Sequence, residues 1–325
     1  MKRLLLCLLT TCLVLSCSKE PKNTKLTGSV FGTSYSVIYA SEVDYKQAFD
    51  SLFNMVNQSM STYQIDSDIS KLNRNESVQV DKHFIKVLEA SRKVYNETNG
   101  VFDPTIGAVV NAWDFGPQGG IKNLDSLKID SLMLSVGLNK VVSKGNQVIK
   151  PHGAFIDFNA IAKGYGVDVI GEYLESKNVT NYLVEIGGEI RVKGINVEKQ
   201  LPWTVGVENP NFDGKQSILM AIPLEDNAMA TSGTYRKFKI DETGNRYAHI
   251  IDTKTGYPSK TNLLSISVIA KTCMMADAYA TAFKAMGIDK VKSFLKTHPE
   301  LKVFLIFENE NNELETLALN NFPKE

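Results

Sequence analysis

An excess of charge of either sign is missing from this 325-residue sequence: 36 Lys and Arg are matched by 36 Asp and Glu. With no basic surplus to neutralise phosphates, nucleic-acid binding is disfavoured. Histidine and cysteine are also scarce, four of each. His83, His152, His249 and His298 have no ligand spacing to one another or to Cys273, which sets zinc aside. No Walker loop, G-x-G-x-x-G fingerprint or nucleophile elbow occurs, so P-loop, dinucleotide-binding and serine-hydrolase readings fail. The first 150 residues contain no internal repeat or low-complexity segment. The longest N-terminal apolar run, residues 4–15, would make roughly 18 Å of helix, too short to span a bilayer.

What is present begins at that N-terminus. Met1, Lys2 and Arg3 precede the apolar run, which is followed by Ser16 and Cys17, so residues 1–16 read as a secretory signal. The tetrad VLSC at 14–17 resembles the lipobox of bacterial lipoproteins, which implies cleavage before Cys17 and acylation of that residue. Cys7 and Cys12 would leave with the signal. Cys273 would then have no intramolecular partner. Residues 17–26 are polar and read as a tether, with one domain at 27–325. The expected location is extracytoplasmic, on a lipid anchor at the periplasmic face of a bacterial inner or outer membrane. ATP is scarce there, which favours a substrate carrying its own activated bond.

Along the chain, residues 29–39 alternate apolar and polar as an opening strand would. Phe49, Leu52, Phe53, Val56 and Met60 follow at helical spacing, with Asp44 as a cap. A polar turn then leads to a second helix at 82–99, stopped by Gly100. Pro and Gly interrupt 100–107, and 121–150 shows only weak strand signals. A helix to about residue 177 precedes YLVEIGGEIRVKG, two strands joined across Gly187 and Gly188. Further strands are expected at 203–208, 217–222 and 228–240, the last broken at Ser232 and Gly233. A DETGN hairpin, RYAHIID, the apolar LLSISVIA, helices at 274–286 and to about 297, and KVFLIF complete the set. Strands and hairpins cluster instead of alternating strictly with helices. The fold class is therefore α+β, with mixed, largely antiparallel sheets and packed helices.

The stretch IDFNAIAKGYGVD at 156–168 is unusual, because Gly164 and Gly166 each cost a helix about 1 kcal/mol relative to Ala. A close approach of backbone to a ligand would explain them, with Lys163 aimed at an anion. Asp277 and Thr281 lie four apart on an expected helix and share a face. Their hard oxygens suit Mg²⁺, which needs few protein ligands when phosphates supply the rest. His249, at a strand end beside a Gly-Pro loop, is an acid-base candidate.

An ordered set of motifs resembles the ApbE family of FAD:protein FMN transferases. They are FGTSY (31–35), MSTY (60–63), GVFDPTIG (100–107), WDFG (113–116), IDFNAIAKGYGVD, EIGGE (185–189), TSGTY (231–235), HIIDTKTGYP (249–258) and ADAYAT (276–281). The resemblance covers almost the whole mature chain. It implies an ApbE-like fold and a lipid-anchored enzyme that splits FAD in a Mg²⁺-dependent reaction. FMN would be joined through its phosphate to a threonine or serine hydroxyl of an acceptor flavoprotein, such as a subunit of a membrane redox complex, with release of AMP.

By the same analogy Asp277, Thr281 and the Ala160 carbonyl ligate Mg²⁺, Lys163 neutralises the pyrophosphate and Asp157 holds a polar part of FAD. Tyr63, Val101, Phe102 and Asp103 line the flavin or adenine site, and Phe31 and Ile251 form apolar walls. The family commonly has Met at Phe31 and proline at Thr253. Two alternatives stay open: an FAD pyrophosphatase in which water replaces the hydroxyl, and a membrane-tethered flavin-binding protein without turnover.

Overall fold

The alternating stretch at 29–39 folds as a hairpin, not a single strand. β1 (Thr24–Val30) and β2 (Thr33–Tyr39) pair antiparallel across Phe31 and Gly32, whose φ values are 51° and 74°. Because β1 begins at Thr24, the last three residues of the expected tether belong to the sheet. The computed structural model describes residues 22–211, 215, 217–233, 238–240, 246–311 and 313–324. Cys17, the signal stretch and the DETGN turn lie outside these.

The chain continues through α1 (Lys46–Met60), α2 (Asp68–Asn73), α3 (Lys82–Glu97), α4 (Gly107–Ala112), α5 (Ser126–Met133), β3 (Val142–Lys144) and β4 (Gln147–Ile149). Next come α6 (Ala162–Ser176), β5 (Tyr182–Ile186), β6 (Glu189–Lys193), β7 (Ile195–Asn196), β8 (Leu201–Glu208), β9 (Ile218–Leu224) and β10 (Ala228–Gly233). The last elements are β11 (Phe238–Ile240), β12 (Arg246–Ala248), β13 (Leu263–Ala270), α7 (Cys273–Met286), α8 (Ile288–Leu295), β14 (Lys302–Glu308) and β15 (Leu314–Leu319). Asp44 supports α1 by accepting from the Lys46 N–H at 2.8 Å. Three short helices stand where the sequence read as turn or mixed: α2, α4 and α5. Ser67 and Asp125 cap two of them with side-chain oxygens, and elements of six to eight residues offer little periodicity to read.

One eight-stranded sheet, in the order β1-β2-β5-β6-β10-β13-β14-β15, carries the fold, and the strand pairs are antiparallel. Helices cover one face, where Ile266, Val268, Val303 and Leu305 pack with α3 and α7. Against the other face lies the small sheet β7-β8-β9, where Trp203, Val205 and Ile222 meet Met229, Ile269 and Phe304. β13 is thus covered on both sides and all eight of its residues are buried. That double burial is the physical reason for the unbroken apolar run LLSISVIA.

α6 and α7 exchange caps. Neither has a side-chain hydrogen bond from its own N-cap residue, Ile161 or Thr272. Instead Asp168 of α6 accepts from the N–H groups of Cys273 and Met274, the first two residues of α7, at 3.0 and 2.8 Å. Asp277 of α7 accepts from the Gly164 N–H, in the first turn of α6, at 3.0 Å. Each carboxylate sits at the positive end of the other helix and satisfies orphan donors there.

This exchange explains Gly164, the packed Phe31 ring explains Gly166, and both correct the ligand-based expectation. A Cβ on Gly164 would collide with the Cys273 carbonyl and lie 2.9 Å from Asp277 Cβ, and one on Gly166 would lie 2.6 Å from the Phe31 ring. Both positions are closed by protein. They permit helix-to-helix and ring-to-helix contact, not a bound ligand.

Lys284, also on α7, is only 3% exposed. Its ammonium donates to Thr261 Oγ1 at 3.1 Å, and burial pushes its pKa down to about 8. A lysine pKa below the unfolded value of about 10.4 weakens the fold at neutral pH, and that penalty is relieved as pH rises from about 8 to 10. Lys284→Met is therefore expected to stabilise the protein at pH 7 by about 2–3 kcal/mol, with the gain fading by pH 10. Denaturant unfolding of both proteins at the two pH values checks this, and an equal gap at each pH would refute it.

Candidate active site

Above the helix exchange lies a cavity of about 900 Å³. Its floor is built by the first turn of α6, the Asp277 and Thr281 face of α7, and Glu189 directly after the β5–β6 turn. Its walls come from the β1–β2 turn, the turn after α1, residues 101–104 and the loop that follows β12. The segments are stitched together. Asn73 grips the main chain of Ile156, accepting from its N–H and donating to its carbonyl, both at 2.8 Å. The Asp157 N–H donates to the Pro104 carbonyl at 2.8 Å. On the far side Thr253 Oγ1 donates to the Gly100 carbonyl at 2.6 Å, a bond that proline at this position could not make.

The twelve candidate residues from the sequence, Phe31, Tyr63, Val101, Phe102, Asp103, Asp157, Ala160, Lys163, His249, Ile251, Asp277 and Thr281, all line this one cavity. Their side chains are not equally available. Phe102 is 3% exposed and packs in the main core. The Asp103 carboxylate is occupied by the fold, accepting from Thr105 N–H and Oγ1 at 2.8 and 2.6 Å and from Leu138 N–H at 3.2 Å. Asp157 accepts from the Asn159 N–H at 2.7 Å, which shapes the turn before α6. Tyr63 stands at the rim, 64% exposed. His249 lies edge-on to Phe115 with ring centroids 6.2 Å apart.

The charged floor is the chemically informative part. Lys163 Nζ lies 2.7 Å from Glu189 Oε2, and the Glu189 side chain is 4% exposed. Burial raises the Glu189 carboxyl, the Asp277 charge adds to this and Lys163 opposes it, leaving it at about 7. Burial also raises Asp277, again against Lys163. Burial by itself would lower Lys163, but Glu189 and Asp277 outweigh it and hold the ammonium charged. Two buried carboxylates thus face one ammonium, an arrangement short of positive charge. Thr281 Oγ1 lies 3.2 Å from Ser232 Oγ. Among the described residues no group of three or more His, Cys, Asp or Glu could hold a metal. A cation here would instead use hard oxygens from Asp277, Thr281 and the main chain, a donor set suited to Mg²⁺.

The sequence profile of the ApbE family matches residues 31–305, nearly the whole domain. The chain belongs to the ApbE family. An FAD:protein FMN transferase of Haemophilus influenzae is 36% identical over 331 residues, covering 96% of this chain and 95% of that protein. Another, from Vibrio cholerae, is 35% identical and covers 89% of each chain. The solved ApbE flavin transferase of Vibrio cholerae superimposes with a TM-score of 0.82 at 32% identity, covering 92% of this chain and 97% of that one. The ApbE protein of Thermotoga maritima gives 0.78 at 27% identity. The α+β, antiparallel architecture is that of these ApbE structures.

Within this ApbE chain the sequence reading missed Glu189, Ser232 and the structural carboxylate Asp168. Glu189 sat in a quoted motif, EIGGE, but a glutamate after two glycines reads as an exposed turn residue. It is instead the buried first residue of β6, with Lys163 of α6 closing over its carboxylate. Asp168 closed the 156–168 stretch without a role, and only the approach of α7 supplies one.

Proposed function

We propose that this chain transfers FMN from FAD to a threonine or serine hydroxyl of an acceptor flavoprotein, with Mg²⁺ as cofactor. The observation that carries the reading is the floor of the cavity, where Lys163, Glu189, Asp277 and Thr281 meet beneath a space lined by every candidate FAD-binding residue. The acceptor oxygen forms a bond to the phosphorus on the FMN side, the pyrophosphate P–O bond breaks, AMP leaves with that oxygen, and the hydroxyl proton passes to a base. FAD brings its own activated bond, so no ATP is consumed. Bound by Asp277, Thr281 and the Ala160 carbonyl, Mg²⁺ would supply stabilisation of charge developing on the phosphoryl oxygens. Lys163, held by Glu189, faces the same region and offsets pyrophosphate charge. Phe31 and Ile251 offer apolar surface to the flavin, with Tyr63 and residues 101–103 around it.

Incubation of the protein with FAD, Mg²⁺ and a threonine-bearing acceptor protein tests the reading. An acceptor mass gain of one FMN together with AMP supports transfer, AMP with free FMN supports hydrolysis, and neither product leaves a flavin-binding protein. His249 is the proposed base, from its place on the cavity wall. His249→Ala is expected to lower transfer by about 10²–10⁴-fold with FAD affinity kept. A full rate across pH 6 to 8 in that variant would remove His249 from the mechanism.

We also propose an extracytoplasmic site of action on a lipid anchor at Cys17, supported by the VLSC motif and the short polar stretch after it. A membrane redox complex subunit is then a fitting acceptor. Among the described residues no helix is long and apolar enough to cross a membrane. Mass analysis of the membrane-extracted protein should find a diacylglycerol on Cys17; an unmodified thiol there would contradict the anchor.

A further inference from the structure

β10 runs past one of its neighbours. It pairs with β13 from Ala228 to Gly233, whereas β6 meets only Ala228 and Met229, opposite Arg191 and Ile190. β6 starts at Glu189, just after the turn at Gly187 and Gly188. Among the described residues the large sheet therefore has a notch beside residues 230–233.

The register decides which main-chain groups face that notch. Val192 N–H donates to the Asn227 carbonyl at 3.0 Å. In an antiparallel ladder every second residue turns its N–H and C=O to the same side, so Met229, Thr231 and Gly233 follow Asn227 toward β6. Met229 finds β6, but Thr231 and Gly233 have no main-chain partner on that side among the described residues. The side chains agree with this assignment. Thr231 Oγ1 approaches Ser267 Oγ to 2.8 Å, the closeness expected of a non-hydrogen-bonded pair on the β13 side.

The notch opens into the cavity, whose lining includes Thr231, Ser232, Gly233 and Glu189. Thr231, Ser232 and Gly233 are each half-buried. Ser232 carries this edge to within 3.2 Å of the Thr281 hydroxyl, beside the proposed cation ligands.

We propose that the open edge of β10 at 231–233 is the docking site of the acceptor polypeptide, which adds there as a short extended strand. The proposal rests on the reading of the cavity as the FMN-transfer site. Main-chain bonds to Thr231 and Gly233 would supply affinity, and alternate side chains of the added segment would supply selectivity. Those alternate side chains leave on opposite faces. A segment residue on the Ser232 face points toward Thr281 and Asp277, where its hydroxyl can meet the phosphorus, while the residues on either side of it point away. An extended acceptor is thereby oriented by its backbone before chemistry begins.

Hydrogen exchange of residues 228–233 tests this with the whole protein. The probe is a blocked peptide of about ten residues, alternating valine and serine with one central threonine, added with FAD and Mg²⁺. Saturating peptide is expected to slow exchange at the Thr231 and Gly233 amides about tenfold, the scale of one added hydrogen bond. A single N-methyl group on residues of one parity should abolish the protection, and on the other parity should leave it. Protection indifferent to N-methylation at either parity, protection elsewhere with 228–233 unchanged, or protection that rises with protein concentration alone, as for a second copy, would each overturn the docking site. FMN transfer to the peptide without edge protection would overturn docking and leave the chemistry standing. Edge protection with period-two sensitivity but no transfer would uphold docking and count against the chemistry.

Discussion

Asp277→Asn should remove FMN transfer, by about 10²–10³-fold or more, while leaving the protein folded. The aspartate does two jobs that the substitution separates. Its Oδ2 accepts from the Gly164 N–H in the first turn of α6, and the amide oxygen of asparagine can keep that bond. The cost to stability should therefore stay at about 1 kcal/mol or less, as for exchange of one capping residue for another. Burial already raises the Asp277 carboxyl, so loss of the charge also removes a desolvation penalty. What asparagine cannot keep is the negative charge that would hold a divalent cation beside Thr281. Transfer measured across a Mg²⁺ titration, with denaturant unfolding run in parallel, separates the two roles. Wild-type turnover in the variant would sink the cation-ligand assignment.

The complementary change, Asp168→Ala, should have the opposite profile: a large loss of stability that precedes any effect on chemistry. Asp168 is buried and accepts from two N–H groups of α7 and from Arg191 at 2.9 Å. Its removal leaves Arg191 without its buried partner and the start of α7 without a cap. Breaking a buried pair from one side costs about 3–5 kcal/mol, and the loss of two capping bonds acts in the same direction. Arg191 retains Glu175 at 2.8 Å, which softens the loss. The midpoint of denaturant unfolding reports the effect, and a change below about 1 kcal/mol would show that the exchange of caps is not a major support.

Much of this architecture was readable residue by residue. Phe49, Val56 and Met60 point into the core from α1 at the spacing that announced it, and the apolar run of β13 reported a strand covered on both faces. The short helices α2, α4 and α5 were not readable, since their caps and neighbours decide them more than any periodicity does. The hairpin at Phe31 was hidden because a Phe-Gly turn inside an alternating run leaves the alternation intact. Gly164 and Gly166 were visible as costly, but a sequence shows only that something must come close. The neighbours turned out to be Cys273, Asp277 and Phe31. The candidate site was legible chiefly through its resemblance to a family, because convergence of residues 31, 103, 163, 249 and 277 on one cavity is a property of strand order that no local pattern carries. Glu189 escaped even so, its burial depending on Lys163 arriving from a helix earlier in the chain.

The paired helices have a consequence for how activity can be lost. The bonds joining them link residues 105, 106 and 113 positions apart, and the first turn of α6 with the Asp277 and Thr281 face of α7 makes much of the cavity floor. No single local segment contains Lys163, Glu189, Asp277 and Thr281 together, so a fragment that lacks either helix is expected to lack turnover. Catalysis would therefore report on the long-range contact, silent until the chain has been laid down through Thr281 and α7 has closed on α6.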